Sequence, residues 1–404
     1  MAERIPIGNF LIEDRERELV NRVLDSNRLS EWKTVKEFEE KFAQYEQRKR
    51  AIAFNSGTSA EMCVFEALKH HRGLKPGDRV LTNPLTFSAT VNAMKLTGFE
   101  PEFVDIDLET LNLSTEGMKE FFENPGNQEN CCAITPVFLM GLTANISEME
   151  RIAKANNQFL FNDCAQSHGA THNGKKVGSF GNASAFSFYI SHNIQAGEMG
   201  AIATDDSSLA ELLNKLKSYG KSGSQRKPTA EFSNSLKQKG IELEDVDARF
   251  TMEFIGFNFR TTELTAAIGI AQLEKADTTK RKRQENVKFL CDELEKHSGI
   301  LRLPIPSDEN DYLGFPVIIK EPEKISRKKL RDALEEKGIE TRPLFGCIPF
   351  HQPCFAYKKK EYLKKLPNAL RAGENGFYFG CHQYLSSENL GTIVKAFNEA
   401  LKGL

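Results

Sequence analysis

A histidine among small and polar residues is the side chain best suited to chemistry in this chain. His192 lies in residues 187–200, SFYISHNIQAGEMG, between two apolar runs that are typical of strands. A histidine side chain takes up and releases protons near neutral pH and can serve as a general base. A purely structural role is the more common one for a single histidine, so its surroundings have to decide.

Three segments before His192 place polar or aromatic residues directly after strand-like runs. Residues 55–59, NSGTS, stand between a strand and a helix, where they could hold an anion on free N–H groups or simply cap the helix. Asp163 ends another strand and could pair with a protonated ring nitrogen or cap a helix. Phe87 follows a third strand and could stack on a flat ring or pack in the core. Their co-occurrence ahead of His192 favours one ligand site at the carboxyl ends of the strands.

The hydrophobic pattern predicts the elements that must position these residues. Short apolar strands alternate with helices over residues 50–204, which indicates an α/β fold with a largely parallel sheet covered on both faces. Residues 220–250 are polar and weakly periodic, so we expect a long loop there, functional or disordered. A helical stretch over 264–294 should bridge to a smaller C-terminal α/β domain. We therefore expect a large domain at 1–270, including an N-terminal helical segment, and the bridge helix with the small domain at 271–404.

The composition is ordinary for a soluble globular protein, with 40% hydrophobic and 27% charged residues. Lys and Arg number 54 and Asp and Glu 56, so the charge of -2 favours neither nucleic acid nor an anionic membrane. Residues 1–6, MAERIP, carry no apolar signal core, and no apolar run approaches the roughly 18–20 residues of a membrane span, so we expect neither a secretory leader nor a membrane helix. Its eight cysteines include no Cys-x-x-Cys pair, which favours reduced thiols and a cytoplasmic location. His168 and His172 have no acidic or cysteine partner close behind, so we expect no metal site.

The order of short motifs resembles that of the DegT/DnrJ/StrS-type sugar aminotransferases, which are fold-type I pyridoxal-phosphate (PLP) enzymes. The resemblance covers roughly residues 5–400. The matching motifs are 55–60 (NSGTSA), 86–90 (TFSAT), 103–107 (FVDID), 163–170 (DCAQSHGA), 186–188 (FSF), 197–200 (GEMG) and 256–260 (GFNFR). Each is modest alone, but the ordered set is specific. It implies a fold-type I large domain with a mostly parallel central sheet and a smaller C-terminal α/β domain.

The resemblance also implies which residues hold the cofactor. These are Gly57, Thr58, Phe87, Asp163, Gln166, Ser187 and Asn258. Asp163 would bond the pyridine nitrogen and keep it protonated, so that the ring withdraws electrons. The Gly57 and Thr58 amides, with the Ser187 hydroxyl, would hold the phosphate. Phe87 would stack on the ring, and Gln166 would lie near its 3-oxygen.

A second set of residues would serve the substrate and the neighbouring subunit. By the same resemblance, Asn258 would reach the phosphate of the neighbouring subunit's cofactor, and Arg260 would meet the diphosphate of a nucleotide sugar. His382 matches a position near the substrate entrance. Because Asn258 and Arg260 serve a shared site, we expect a homodimer.

His192 stands where the family's aminotransferases have the lysine that attaches the cofactor. Histidine cannot hold a cofactor covalently in that way, but it can move protons. The resemblance thus extends to a histidine-containing subset, the 3-dehydratases of nucleotide-linked 4-keto-6-deoxyhexoses in deoxysugar and lipopolysaccharide biosynthesis. There, pyridoxamine phosphate (PMP) condenses with the C4 ketone. His192 would take a proton from the cofactor's C4′ carbon and pass it to the departing C3 hydroxyl.

Cysteine placement separates two types of such dehydratases. One type uses a [2Fe–2S] cluster, with cysteines before the histidine and in the loop after it. Residues 219–228 contain no cysteine and the later cysteines lack cluster spacing, so we expect no iron–sulfur cluster. The glutamate-recharged type of the colitose pathway fits better, with glutamate as amine donor. Two alternatives stay open: an aminotransferase that works without the lysine, and a non-enzymatic PLP-binding protein with a degenerate site.

Overall fold

The computed structural model describes residues 4–222, 230–241, 247 and 249–402, without the side chain of Glu231. The strands are β1 (Arg50–Phe54), β2 (Arg79–Thr82), β3 (Glu100–Phe103), β4 (Cys131–Thr135), β5 (Phe159–Asp163), β6 (Thr171–His172), β7 (Lys175–Lys176), β8 (Ala183–Ser187), β9 (Gly200–Thr204), β10 (Leu301–Arg302), β11 (Phe315–Ile319), β12 (Thr341–Pro343) and β13 (Gly376–Phe379).

Helices fill most of the intervening chain. The α-helices are α1 (Asp14–Asp25), α2 (Lys33–Tyr45), α3 (Gly57–His71), α4 (Ser88–Leu96), α5 (Thr115–Glu123), α6 (Pro125–Gln128), α7 (Ile146–Ala155), α8 (Ser207–Lys217), α9 (Ala230–Gln238), α10 (Glu263–Glu274), α11 (Ala276–Leu294), α12 (Arg327–Glu336), α13 (Lys359–Tyr362), α14 (Pro367–Asn375) and α15 (Ser387–Lys402). Short 3₁₀ turns lie at Leu139–Gly141, Val177–Ser179, Glu295–His297 and Pro353–Lys358.

Seven strands form the central sheet in the order β1-β9-β8-β5-β4-β2-β3. The strands from β8 to β3 run parallel, and β9 is antiparallel to both of its neighbours. Successive side chains enter opposite layers: Phe159 and Phe161 pack in one core cluster, and Leu160 packs in the other. Both faces are therefore covered, and the expected α/β class with a mostly parallel central sheet is confirmed.

A second, antiparallel sheet follows in the order β10-β11-β13-β12. Helices α11, α12 and α15 contribute to the core on this side, with Leu290, Leu330 and Phe397 among its buried residues. The N-terminal segment packs against this part of the fold, because Ile5 forms a parallel β-bridge with Ile339. Residues near the N-terminus thus lie beside the C-terminal part of the fold.

Two predicted elements differ from the structure. The stretch 264–294 is two helices, α10 and α11, with a break at Lys275, whose ammonium pairs with Glu13 and Glu16. The expectation of a loop throughout 220–250 is wrong where α9 stands, because Phe232 and Leu236, four residues apart, bury one face of a helix. The rest of that expectation falls partly on 223–229, 242–246 and 248, outside the described residues. In the described part of the chain, no helix is both long and apolar enough to cross a membrane.

Candidate active site

A cavity of about 840 Å³ opens at the carboxyl ends of the central strands, and residues of the second sheet such as Arg342 and Tyr378 close its far side. A site at this edge is expected for a parallel sheet. Seven residues predicted from the sequence line it: Gly57, Thr58, Phe87, Asp163, Gln166, Ser187 and His192. The fold therefore brings together side chains that are up to 135 positions apart, counted from 57 to 192.

One end of the cavity is built to receive an anion. Ser56 caps α3, and its side chain and carbonyl accept the N–H groups of Ser59 and Ala60. Among the described residues, the N–H groups of Gly57 and Thr58 have no partner, so they are free to donate to a ligand at the positive end of the helix dipole. The Ser187 hydroxyl stands beside them, in a close approach that only glycine permits: a Cβ on Gly57 would lie 2.6 Å from Cβ of Ser187.

Replacing Gly57 by alanine should therefore disrupt the anion end. The added methyl group has to push β8 away from α3, which separates the Ser187 hydroxyl from the two free amides. We expect Gly57→Ala to weaken binding of PLP, the ligand implied by the resemblance, by roughly tenfold or more, since a hydrogen bond to a charged group contributes about 1.5–3 kcal/mol. Gly391→Ala is the control, because a Cβ there meets open space. Unchanged PLP affinity in Gly57→Ala, measured by equilibrium titration, would place the phosphate elsewhere.

Asp163 lines the same cavity, at the point where β5 stops. Its carboxylate accepts the Thr90 hydroxyl at 2.6 Å and the Ala165 N–H at 3.0 Å. No helix begins there among the described residues, since 164–170 form turns, so helix capping does not explain this aspartate. Desolvation by burial raises the pKa of Asp163, and the two donors oppose that effect.

Phe87 and Gln166 also line the cavity. Phe87 is 57% exposed at the cavity, so core packing does not account for it, and its ring meets Phe345 edge-on at 5.6 Å. The Gln166 side-chain oxygen accepts the Met140 N–H at 2.8 Å, which leaves its amide N–H groups to face the cavity. A flat ring bound here could therefore stack on Phe87.

The orientation of His192 leaves one ring nitrogen available as a base. Its Nδ1 lies 2.8 Å from the Ser187 carbonyl oxygen. Because a carbonyl only accepts hydrogen bonds, we assign the proton to Nδ1, and Nε2 then carries the free lone pair. Among the described residues Nε2 has no hydrogen-bond partner. Desolvation lowers the pKa of His192 to about 4, so the ring is neutral near pH 7 and suited to accept a proton.

That lowered pKa predicts the pH dependence of any step that uses His192 as base. The neutral ring predominates above about pH 4 and is lost as the pH falls through that value. We expect the rate of the base-dependent step to be level from about pH 5 to 8 and to fall about tenfold per pH unit below 4. Single-turnover rates across this range test it. A fall centred near the ordinary histidine value of about 6.5 would contradict a desolvated base.

Sequence reasoning missed the residues that hold the His192 loop. The Asn193 side-chain amide donates to the Asp311 carboxylate at 2.7 Å and to the Asp311 backbone carbonyl at 3.0 Å. The Gly169 N–H donates to the same carboxylate at 3.0 Å. Burial raises the pKa of Asp311, while these donors oppose the shift. Asp311 is distant in sequence from the motifs, and no local pattern marked it.

Glu61 is a second residue that sequence reasoning missed. It lies in α3, one helical turn after Gly57, and it is only 4% exposed while lining the cavity. Its carboxyl group neighbours that of Asp163, and each of the two carboxyl groups shifts the pKa of the other. The sequence feature that could have identified Glu61 is its place on the apolar face of α3, where Val64 and Leu68 follow it at helical spacing.

Three other predicted residues lie outside the cavity lining of this single chain. Asn258 pairs through its backbone with Ser218, and the Arg260 guanidinium stacks over the Tyr219 ring at 5.0 Å. Their roles toward a neighbouring subunit stay predictions. His382 is only 2% exposed and lies outside the cavity lining, and its contact with a substrate stays a prediction.

Comparison with known proteins identifies relatives over nearly the whole length. The model of the DegT/DnrJ/EryC1/StrS aminotransferase family matches residues 11–398. GDP-4-keto-6-deoxy-D-mannose 3-dehydratase of Escherichia coli O55:H7 is 30% identical over 383 residues, which cover 94% of this chain and 95% of that protein. GDP-perosamine synthase of Escherichia coli O157:H7 is 31% identical over 398 residues, which cover 98% of each. A solved GDP-4-keto-6-deoxymannose-3-dehydratase with a trapped PLP-glutamate geminal diamine has a TM-score of 0.84 at 28% identity, covering 97% of this chain and 100% of that one.

Proposed function

We propose that the chain, which belongs to the DegT/DnrJ/EryC1/StrS aminotransferase family, is a PLP- and PMP-dependent 3-dehydratase of a nucleotide-linked 4-keto-6-deoxyhexose. The observation that carries the proposal is a histidine base in a cavity whose described lining residues include no lysine. Nε2 of His192 is available as a base, and the described residues that line the cavity include no lysine. Without an amine nucleophile, covalent cofactor attachment and its release during amine transfer lack their usual route.

The cavity's polar groups fit the cofactor. The unpartnered amides of Gly57 and Thr58 and the Ser187 hydroxyl match a phosphate. Asp163 matches a protonated ring nitrogen, and exposed Phe87 matches the flat ring. When bound as PMP, the cofactor supplies a primary amine for the sugar's C4 ketone and an electron-withdrawing ring.

The chain's own residues then have defined tasks. Asp163 orients and neutralises the ring-nitrogen end, and the amides of α3 hold the phosphate. Nε2 of His192 would remove a proton from the cofactor carbon that is bonded to the amine nitrogen. It would then donate that proton to the C3 hydroxyl of the sugar, which leaves as water. The Ser187 carbonyl keeps Nδ1 protonated throughout, so that the proton moves only at Nε2. Glutamate supplies the amine and the electron pair that recharge the cofactor, as the PLP-glutamate adduct in the solved dehydratase suggests.

The main alternative is amine transfer. The GDP-perosamine synthase resembles this chain as closely as the 3-dehydratase does, at 31% and 30% identity. The absence of lysine among the described lining residues is the feature that favours dehydration.

The product of one reaction separates these functions. Purified protein is incubated with PMP, glutamate and GDP-4-keto-6-deoxymannose, and the sugar product is analysed by mass spectrometry. A sugar that lacks the C3 oxygen, with release of ammonia and 2-oxoglutarate, supports the dehydratase. A sugar that gains an amine in place of the ketone oxygen supports the aminotransferase. An unchanged sugar, tested with GDP- and CDP-linked substrates, contradicts both and favours a PLP-binding protein without catalysis.

A further inference from the structure

Glu61 is an acid at a core position, and no cation among the described residues compensates its charge. It is nearly fully buried, and its Oε1 atom has no partner among the described residues. The groups that act on it come from two elements: Asp163 at the end of β5, which is acidic, and Thr90 in α4, which is neutral. An isolated buried acid of this kind is costly unless it holds a proton or serves a ligand.

Two neighbouring carboxyl groups with little access to water resist ionising together, because the negative charge of one raises the pKa of the other. Accordingly, burial and the nearby Asp163 carboxyl raise the pKa of Glu61 well above its ordinary value. Asp163 receives hydrogen bonds from the Thr90 hydroxyl and from the Ala165 N–H, both of which favour its ionised form. The proton that the pair retains therefore belongs on Glu61.

We propose that Glu61 is a positioning residue that stays protonated and donates a hydrogen bond to the Asp163 carboxylate. Asp163 then presents one fixed negative charge to the ring nitrogen of the cofactor. This inference rests on cofactor binding as proposed above. Three donors then surround Asp163: the Thr90 hydroxyl, the Ala165 N–H and the Glu61 carboxyl. The pair carries a single negative charge, which a protonated ring nitrogen neutralises. If Glu61 were ionised as well, an unpaired charge would remain buried after the cofactor bound.

Two variants distinguish a proton donor from a second anion. Glu61→Gln keeps the shape and an N–H donor but cannot ionise, whereas Glu61→Leu keeps the approximate size and removes the donor. We expect Glu61→Gln to bind PMP and PLP within about threefold of wild type. Glu61→Leu should bind them about tenfold or more weakly, as for a lost hydrogen bond to a charged group. In Glu61→Leu, the ring nitrogen of bound PLP should also lose its proton at a lower pH than in wild type. The absorption spectrum of bound PLP reports this transition.

The cofactor-free protein supplies an independent readout. A group whose pKa is raised in the folded state contributes stability at low pH and loses it as the pH rises. The Glu61→Gln side chain does not titrate, so the variant lacks this loss of stability. The difference between its free energy of unfolding and that of wild type should therefore grow in the variant's favour as the pH rises from 5 to 8. Glu46→Gln is the matched control. Glu46 is also buried with a raised pKa and lies outside the cavity lining, so its replacement should alter the pH dependence of stability and leave PMP affinity unchanged.

The outcomes decide the inference. Equal loss of affinity in Glu61→Gln and Glu61→Leu would overturn it, because an ionised second anion would then be required. Wild-type affinity and spectra in both variants would also overturn it, as would a stability difference between Glu61→Gln and wild type that does not change with pH. Failure of the sugar assay alone leaves these measurements intact, since they need only cofactor binding. Failure of wild-type protein to bind PMP and PLP would contradict both proposals.

Discussion

Replacing His192 by asparagine should lower the dehydration rate by a factor of about 10² to 10⁴, the usual contribution of general acid–base catalysis. Asparagine can still donate to the Ser187 carbonyl, but it has no ring nitrogen that accepts a proton. PMP affinity should stay close to wild type, because the groups that match the phosphate and the ring nitrogen are unchanged. Single-turnover rates and equilibrium PMP titration measure the two effects separately. An unchanged rate in His192→Asn would exclude His192 as the base.

His382→Asn is the matched control for this loss. Desolvation lowers the pKa of His382 to about 4, as it does for His192, yet His382 lies outside the cavity lining. The control protein should therefore keep its turnover rate. A raised KM with unchanged kcat would instead support the sequence-based prediction that His382 contacts the substrate.

Replacing His192 by lysine should change how the cofactor is held. The lysine amine would enter a cavity whose described lining has no other lysine, beside groups suited to the phosphate and the ring nitrogen. We expect PLP to become covalently attached, so that borohydride treatment leaves the cofactor's mass on the peptide that contains residue 192. Dehydration should fall at least as far as in His192→Asn, since a lysine that forms this bond is no longer a free base.

Wild type and His192→Asn are the controls for covalent attachment, and both should release PLP on denaturation after the same treatment. Attachment at another lysine in wild type would show that an amine outside the described cavity lining reaches the cofactor. Absence of attachment in His192→Lys would mean that residue 192 does not face the cofactor's reactive carbon, and the proposed mechanism would then be wrong.

Much of the site could be predicted because its residues follow strands directly. Asp163 ends β5, Ser187 ends β8 and Gly57 begins α3 just after β1, so a parallel sheet brings them to one edge. His192 follows Ser187 by five positions and was marked by its place in the motif order. These assignments need only local pattern and the geometry of parallel strands.

The residues that support this site depend on contacts that no local pattern encodes. Asp311 meets Asn193 although 118 positions separate them, and Glu61 meets Asp163 although 102 positions separate them. Similarly, the break at Lys275 stands in a continuous helical pattern, and the ion pairs of Lys275 with Glu13 and Glu16 form only in the folded chain. Sequence periodicity defines a helix face, but it does not identify what that face meets across the fold.

The absence of lysine from the described part of the cavity lining has a thermodynamic consequence. A cofactor held by amides, hydroxyls, an acid and an aromatic face, as proposed, would obey mass action, and the protein's occupancy would follow the free cofactor concentration. Its folding stability does so too: free cofactor at about a hundred times its dissociation constant adds about 2.7 kcal/mol to the free energy of unfolding. A protein of this kind would exchange its cofactor with the surrounding pool and treat it as a second substrate.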